Sequence, residues 1–295
     1  NGFMQSPVGY QIVNGRAQMV SFGALLGNPR GLYLFAHTFF SGLTTGAFFL
    51  LGFSIYHLVR KHEEEAFQKS FRLAAIIGLI ATIGVVGAGH AQGVYLREVQ
   101  PMAAAASEAH YTTQNPADFH LIAGIDQKNN KTTWSITIPK ALSLLYYFKP
   151  TGEVEGINNI QAQYEEKYGP GNYIPNVPMA YWNFRIMVGV GFLMVAITLV
   201  GVIVAWKKFP EKWIKRSGFM VWILLLPYIA NTTGWLLTET GRQPWVVTGL
   251  MLTKDAVSPS LTPATVLISL VGFVVIYAVL MGFDLFLLLK FAKAG

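Results

Sequence analysis

Five long apolar runs constrain this chain more than any other feature of its sequence. A helix needs about 20 largely apolar residues to cross about 30 Å of hydrocarbon. Such runs lie near 32–59, 73–94, 179–206, 218–240 and 264–291. Only 13% of the residues are charged, whereas an ordinary soluble domain carries about 25%. The sequence therefore predicts an all-α membrane protein with five transmembrane helices and a long extracytoplasmic loop.

The basic residues predict the orientation of these helices. Although the formal net charge is +7, the lysines and arginines cluster at the ends of apolar runs, so they indicate membrane topology and not nucleic-acid binding. Three of the regions at helix ends carry half of them and are expected on the cytoplasmic side. They hold Arg60, Lys61, Lys69 and Arg72; Lys207, Lys208, Lys212, Lys215 and Arg216; and Lys290 and Lys293.

The other side of the membrane then receives the amino end and two connections. We expect residues 1–30 to form an extracytoplasmic segment with a short interfacial helix at 17–26, and the long loop to contain a strand at 133–138 and a helix at 158–167. Because the chain starts at Asn1, we expect it to be incomplete at its amino end. The predicted order is 1–30, helices in 31–94, an extracytoplasmic loop at 95–178, helices in 179–240, a second outer loop at 241–263, and the last helix with a cytoplasmic end at 264–295.

Two residues inside predicted spans have the chemistry of haem ligands. The chain has no cysteine, so a metal or cofactor would need His, Met or a carboxylate. His37 and Met187 lie at similar depths below the outer ends of the first and third spans, and Met/His ligation of haem is a known arrangement. The alternative is that His37 hydrogen-bonds to a neighbouring helix and that Met187 fills a packing gap.

Arg185 lies two residues before Met187 and needs an anionic partner inside the membrane. A haem propionate would suit a guanidinium, which favours bidentate pairing. The alternative is an arginine that snorkels to the interface.

The run GWLLTETGRQPW, from Gly234 to Trp245, ends the fourth span. Its Glu239 precedes Arg242 by three residues, which is compatible with an interfacial ion pair flanked by Trp235 and Trp245 as interfacial aromatics. It is equally compatible with a metal-binding or proton-carrying role for Glu239.

Four stretches together resemble subunit I of the cytochrome bd quinol oxidases: GRQPW, HTFFSGLTTG, FRIMVGVGF and the opening NGFMQSP. The resemblance covers essentially the whole chain, as a carboxy-terminal part that lacks the family's first four helices. It implies that His37 and Met187 are the axial ligands of a low-spin haem b. It also implies roles near the haems for four further residues: Glu239 as the iron ligand of a high-spin haem b, Trp235 as an aromatic between haems, and Arg185 and Arg242 as partners of propionates.

The resemblance further makes 95–178 a quinol-binding loop in a shorter form. Glu108 matches the family glutamate that contacts quinol, where it can act as a general base. Ala103 stands where the family has a lysine, so that contact is missing. The alternative for Glu108 is a solvated carboxylate on a helix.

The function implied is that of a haem-bearing subunit of a terminal quinol oxidase. Electrons would pass from quinol through haem b toward haem d, where dioxygen becomes water, with a proton gradient as the result. The ligands of haem d would lie outside this chain, which is therefore expected to be incomplete for oxygen reduction. The implied partners are a second large membrane subunit, a small single-helix subunit and the bilayer of a prokaryotic inner (plasma) membrane.

Two other functions stay open. One is a membrane cytochrome b that oxidises quinol without meeting oxygen, and the other is a haem-free subunit of a polytopic transporter.

Overall fold

The computed structural model describes residues 1–206 and 217–294, and it divides into two compact units, Asn1–Thr253 and Lys254–Gly295. In the first unit the elements are α1 (Gly2–Gln5), β1 (Tyr10–Val13), β2 (Arg16–Met19), α2 (Phe22–Leu26), α3 (Pro29–Arg60), α4 (Glu64–Val99), α5 (Pro101–Ser107), β3 (Phe119–Asp126), β4 (Lys131–Ile138), α6 (Ala141–Tyr147), α7 (Ile157–Tyr168), α8 (Val177–Ala205), a 3-10 helix (Ser217–Leu225), α9 (Leu226–Gly241), β5 (Trp245–Val247) and β6 (Met251–Leu252). The second unit holds α10 (Pro263–Ala294).

Five helical segments are long and apolar enough to cross a membrane: Phe22–Arg60, Glu64–Val99, Val177–Ala205, Met220–Gly241 and Pro263–Ala292. They include the five predicted spans, and the all-α membrane class is confirmed. Helices suit this environment because each satisfies its own backbone hydrogen bonds where no water is available.

Local signals start two of these helices. The side chain of Asn28 accepts a hydrogen bond from the Arg30 backbone N–H, and Pro29 follows at the first helical position of α3. Asn176 likewise accepts from the Met179 N–H at the start of α8. Both are N-cap arrangements, which satisfy N–H groups that the first helical turn leaves without partners.

Small residues let the helices approach closely. Helix α4 packs against both α3 and α8, and α8 also packs against α9. A Cβ atom on Gly78 of α4 would lie 2.9 Å from Thr198 Cγ2 of α8 and 3.4 Å from Ala47 Cβ of α3. The hydroxyls of Thr82 and Thr198 lie 3.2 Å apart across the α4–α8 contact. Small side chains and hydroxyl contacts of this kind are typical of helix packing in membranes.

The connection from α4 to α8 folds on the first turns of α8. Strands β3 and β4 form an antiparallel pair in which Phe119 lies opposite Ile138. Ile157 of α7 and Tyr181 of α8 belong to one buried cluster with Met102 of α5. The predicted strand at 133–138 lies in β4 and the predicted helix at 158–167 lies in α7, so both are confirmed.

The helix predicted at 17–26 is only partly correct. It covers α2 alone, because residues 16–19 form strand β2 and pair with β1. The reason is the Asn14–Gly15 turn, in which both residues have positive φ, 50° and 74°. An Asn-Gly pair in that conformation reverses the chain into a hairpin.

The connection between the first two membrane-spanning helices, predicted on the cytoplasmic side, is also shorter than predicted. Helix α4 begins at Glu64, so Lys69 and Arg72 belong to the helix and not to a loop. Lys69 pairs with Glu65 one turn earlier at 2.7 Å, and Arg72 donates to the Ala205 carbonyl at 2.8 Å. The basic cluster predicted at 207–216 lies outside the described residues.

Candidate functional site

A cavity of about 380 Å³ lies between the end of α4, helix α5, helix α6 and the chain that leads into α7. This volume is within the range of small-molecule sites, about 300–1,000 Å³. Its lining includes one arginine, four glutamates and two tyrosines, which are Arg97, Glu98, Glu108, Glu153, Glu155, Tyr146 and Tyr147.

Glu108 is the lining residue with the most specific partner. It follows α5, is 4% exposed, and its Oε2 accepts a hydrogen bond of 2.6 Å from Nη2 of Arg185 on α8. The alternative prediction, that Glu108 is a solvated carboxylate on a helix, is therefore wrong. The pair joins residues 77 positions apart, so it ties the loop to the third membrane helix.

Arg185 is held in place by further contacts. Its Nε and Nη2 donate to the His120 carbonyl at 3.0 and 2.7 Å, and its guanidinium lies 4.3 Å from the centroid of Phe119 and 4.5 Å from that of Tyr181. With 10% of the side chain exposed, Arg185 does not snorkel to water. The anionic partner of Arg185 in this structure is therefore Glu108, whereas the sequence predicted a haem propionate.

Burial sets the protonation chemistry of the cavity. It raises the pKa of the Glu108 carboxyl above the usual value of 4.5, against the opposing charge of Arg185. Desolvation disfavours the charged form of a carboxyl, so Glu108 binds a proton more readily than an exposed glutamate. Burial, together with the charge of Glu108, also raises the pKa of Tyr146. Its hydroxyl therefore stays protonated and available as a donor.

Arg97 presents a free donor near the cavity. Its guanidinium lies 4.2 Å from the ring centroid of Tyr147 and 5.7 Å from that of Tyr146. Its Nη1 is buried and has no hydrogen-bond partner among the described residues. A buried N–H without a partner is uncommon in proteins, and an oxygen of a bound ligand would satisfy it.

His37 hydrogen-bonds to the neighbouring helix α4, which confirms the alternative predicted for it, and this contact is also compatible with a ligand role. Its Nδ1 lies 3.0 Å from the Val85 carbonyl of α4, and because a carbonyl only accepts, Nδ1 carries the proton. In the neutral ring, Nε2 then keeps its lone pair, and no hydrogen bond to Nε2 occurs within residues 1–206 and 217–294. Ligating histidines usually donate their other N–H to a carbonyl in this way.

Met187 lies against α9. A Cβ atom on Gly234 would be 2.8 Å from its Sδ, so this glycine gives the thioether room beside the helix that carries Glu239. Within residues 1–206 and 217–294, no three His, Cys, Asp or Glu side chains are grouped to hold a metal ion. One imidazole with a free Nε2 and one thioether are nonetheless the donor set of a low-spin haem, and these residues fit that group.

Glu239 forms an ion pair with Arg242. Its Oε2 accepts from Arg242 Nη2 at 2.6 Å, and its Oε1 accepts from Asn1 Nδ2 at 3.3 Å. Asn1 Oδ1 in turn accepts from Arg242 Nη1 at 3.0 Å. Each carboxylate oxygen thus accepts one hydrogen bond and keeps a second lone pair.

The two tryptophans near this pair differ. Trp235 is 62% exposed in this chain, whereas Trp245 is 7% exposed. Trp245 stacks on Tyr173 with ring centroids 5.6 Å apart. The suggestion that Trp245 is an interfacial aromatic is therefore wrong, because it packs inside the outer segment.

Ala103, at the family's lysine position, is a packing residue. It is 8% exposed, and a Cβ atom on Gly241 would lie 3.9 Å from the Ala103 Cβ. Helix α5 thus contacts the end of α9 at a place where a long basic side chain has no room without displacement.

Three residues that line the cavity were not predicted from the sequence: Arg97, Tyr146 and Tyr147. An arginine within one turn of a helix end and two adjacent tyrosines in a polar loop are ordinary features, and only the folded loop brings them to Glu108. Glu108 and Arg185 were each predicted as functional residues, but their contact was not predicted.

Comparisons with known proteins agree with this architecture. The family described as cytochrome bd terminal oxidase subunit I matches residues 1–295. Cytochrome bd ubiquinol oxidase subunit 1 of Bacillus subtilis (strain 168) is 45% identical over 298 residues, which are 100% of this chain and 63% of the relative. Cytochrome bd-II ubiquinol oxidase subunit 1 of Escherichia coli (strain K12) is 28% identical, over 100% of this chain and 69% of the relative.

A solved structure is also similar. The bd oxidase from Geobacillus thermodenitrificans matches with a TM-score of 0.80 and 27% sequence identity, over 95% of this chain and 62% of the solved chain. The present chain thus spans a little under two thirds of that structure and of the Bacillus relative. With its five membrane-crossing helices and a family match over its full length, the chain is a multi-pass membrane protein that belongs to the cytochrome bd terminal oxidase subunit I family.

Proposed function

We propose that this chain is the quinol-oxidising part of a terminal oxidase subunit I. Quinol gives its electrons to haem b, and these continue toward haem d, where dioxygen is reduced to water. The observation that carries the proposal is the buried Glu108–Arg185 pair. It lies at the cavity of about 380 Å³ and connects it, through a 2.6 Å contact, to the helix that bears Met187.

The cavity residues divide the work of binding quinol and taking its protons. The unpartnered Nη1 of Arg97 and the Tyr146 hydroxyl are donors for the quinol oxygens. Glu108 accepts a quinol proton as a general base, and its raised pKa brings it closer to the operating pH, where general bases are most effective. Arg185 orients the carboxylate and compensates its charge.

The low-spin haem b would be held by His37 and Met187. When bound, this haem supplies an iron that accepts the electrons of quinol. The support from the chain is the tautomer of His37, whose Nδ1 donates to the Val85 carbonyl, together with the thioether of Met187 as the second kind of donor that a low-spin haem takes. His37 and Met187 would supply the nitrogen and the sulfur that hold this haem.

The remaining assignments follow from the family. Glu239 is proposed as the ligand of the high-spin haem b. Trp235, exposed in this chain, lies one helical turn before it and is proposed between haems, and Arg242 as a partner of propionates. The haem d ligands are proposed outside this chain.

The assembly and its location are proposed on the same basis. The complex contains a second large membrane subunit and a small single-helix subunit, in a prokaryotic plasma membrane. The loop that holds Glu108 faces the extracytoplasmic side, where quinol releases its protons. Protons for water formation come from the cytoplasm, so the reaction generates a proton gradient.

A spectrum and an oxygen electrode test this function together. In the purified complex, we expect haem b bands in the reduced-minus-oxidised spectrum, a chlorin band of haem d, and oxygen consumption driven by quinol. His37→Ala should remove the low-spin haem b bands, while the exposed His62→Ala should leave them. Haem b bands without oxygen consumption would favour a cytochrome that does not meet oxygen, and a spectrum without haem bands would favour a transporter subunit.

A further inference from the structure

Two histidines of the outer loop lie buried beside the Glu108–Arg185 pair. His110 is 1% exposed and His120 is 9% exposed, and their ring centroids are 6.1 Å apart. Neither has a role in the proposed function, and buried imidazoles placed next to a proton-accepting carboxyl are not needed for packing alone.

Backbone contacts fix the tautomer of each ring. Nδ1 of His120 lies 3.2 Å from the carbonyl of Glu108, and Nε2 of His110 lies 3.2 Å from the carbonyl of Val154. Since a carbonyl only accepts, both of these nitrogens carry the proton. In its neutral form, the His110 ring therefore keeps a lone pair on Nδ1. The His120 ring hydrogen-bonds to the backbone of both Glu108 and Ala109.

The surroundings keep both rings neutral at rest. Burial, followed by the influence of His120, lowers the pKa of His110 to about 4. Burial is also the main cause of the lowered pKa of His120, and the charge of Arg185 adds to it. Other charged and titratable groups around the pair are Glu108, Asp118 and the Tyr181 hydroxyl. A neutral imidazole with a free lone pair can take up a proton and pass it on.

We propose that His110 and His120 form a buried imidazole pair that carries protons from Glu108 to the water outside the membrane. The inference rests on the proposed oxidation of quinol at this cavity. Asp118 marks the outer end of the route. It is only partly buried, and its charge favours the protonated form of both rings.

The proton balance of the route is simple. Oxidation of one quinol breaks two O–H bonds and releases two electrons and two protons. For each proton, an O–H bond forms on Glu108, then breaks as an N–H bond forms on a free ring nitrogen. The imidazolium loses this proton to outside water and becomes neutral again. The electrons leave separately to the haem iron, so the carboxylate and both rings return to their starting charge.

Matched amide variants test the route in the whole complex. His110→Gln keeps a donor near the position of Nε2, and His120→Asn keeps one near Nδ1, so each backbone contact can persist while the second ring nitrogen is lost. We expect quinol oxidation to fall at least about tenfold in each, with a larger solvent deuterium isotope effect. Oxidation of tetramethyl-p-phenylenediamine, a donor of electrons without protons, should stay at the wild-type rate.

Controls separate the possible failures. The exposed His62→Gln should change neither rate, and Glu108→Gln should slow quinol oxidation alone. If Glu108→Gln has no effect, the proposed function itself fails. If it does slow quinol oxidation but both histidine variants keep wild-type rates and isotope effects, only the imidazole route is overturned. A variant that lowers both rates has damaged the complex, and His110→Asn or His120→Gln then takes its place in the comparison.

Discussion

Among the described residues, the Arg–Glu pairs of Glu108 and Glu239 have the same length but lie in different surroundings. Glu108–Arg185 and Glu239–Arg242 both measure 2.6 Å. In the first, the side chain of Glu108 is 5% exposed and its partner is 77 residues away. In the second, the side chain of Glu239 is 32% exposed while that of Arg242 is 6% exposed, and the two residues are three positions apart.

This difference separates a tertiary connection from a local one. A buried pair is costly to break, because the group left behind is an uncompensated buried charge. A partly exposed pair within one helix end gains little, since water replaces the lost partner. Equal distances therefore do not mean equal roles. We expect the first pair to hold the loop and its chemistry in place, and the second to tune the end of α9.

The largest contrast is expected in stability. Arg185→Met removes the counterion of a buried carboxylate, which typically costs about 3–5 kcal/mol. Arg242→Met removes the partner of a carboxylate that water reaches, and it should cost about 1 kcal/mol. Thermal unfolding of the purified complex would measure both. Similar losses in the two variants would mean that burial does not distinguish the pairs.

The two glutamates should also differ in which electron donor they affect. Glu108→Gln removes the base that takes the quinol proton, so quinol oxidation should fall by about a hundredfold or more, while oxidation of tetramethyl-p-phenylenediamine continues. Glu239→Gln should slow the oxidation of both donors, because Glu239 is proposed to act after the first haem in the path of the electrons. Oxygen consumption with each donor measures this, with the exposed Glu166→Gln as the control. Loss of both rates in Glu108→Gln would assign it a structural role instead.

A smaller effect is expected at the family's lysine position. Ala103→Lys places a long charged side chain at a position that is 8% exposed and faces Gly241 of α9. Overpacking of this kind typically costs about 1–3 kcal/mol, so the variant should be less stable and should not bind quinol more tightly. The thermal midpoint and the KM for quinol would be compared with those of Ala103→Ser. Tighter quinol binding in Ala103→Lys would show that the site retains room for the lysine.

The smallest expected effect is a pH dependence of stability. Burial raises the pKa of Glu108 above its usual 4.5, so the folded chain holds this proton at pH values where the unfolded chain has lost it. Stability from this group is therefore complete below about pH 4.5 and decreases as the pH rises through the raised pKa. The thermal midpoint of Glu108→Gln should show less of this decrease than that of Glu166→Gln. Identical curves for the two variants would contradict the burial argument.

Features that depend on residues close together in the sequence could be predicted, whereas contacts between distant residues could not. Runs of apolar residues determined the spans, and Glu239–Arg242 could be predicted because helical spacing places residues three apart on one side. The strand pair β3–β4 was only half predicted, since the strand that includes His120 carries no clear alternation. The hairpin before α2 was missed despite its Asn14–Gly15 signal.

The Glu108–Arg185 contact could not be predicted from the sequence. It depends on how α5 and β3 fold onto α8, and the same folding brings Arg97 and Tyr146 to the cavity. The family resemblance implies separate roles for Glu108 and Arg185, but it does not imply that the two side chains are in contact. Burial, which raises the pKa of Glu108, is likewise a property of the folded loop.

The most direct test of the account is the rate at which quinol reduces haem b without oxygen. Wild-type complex and Glu108→Gln would be mixed anaerobically with quinol, and haem b reduction followed by absorbance. We expect dithionite to reduce the same amount of haem b in both, while quinol reduces it about a hundredfold more slowly in the variant. Equal rates of reduction by quinol would contradict the claim that the buried Glu108 accepts the quinol proton.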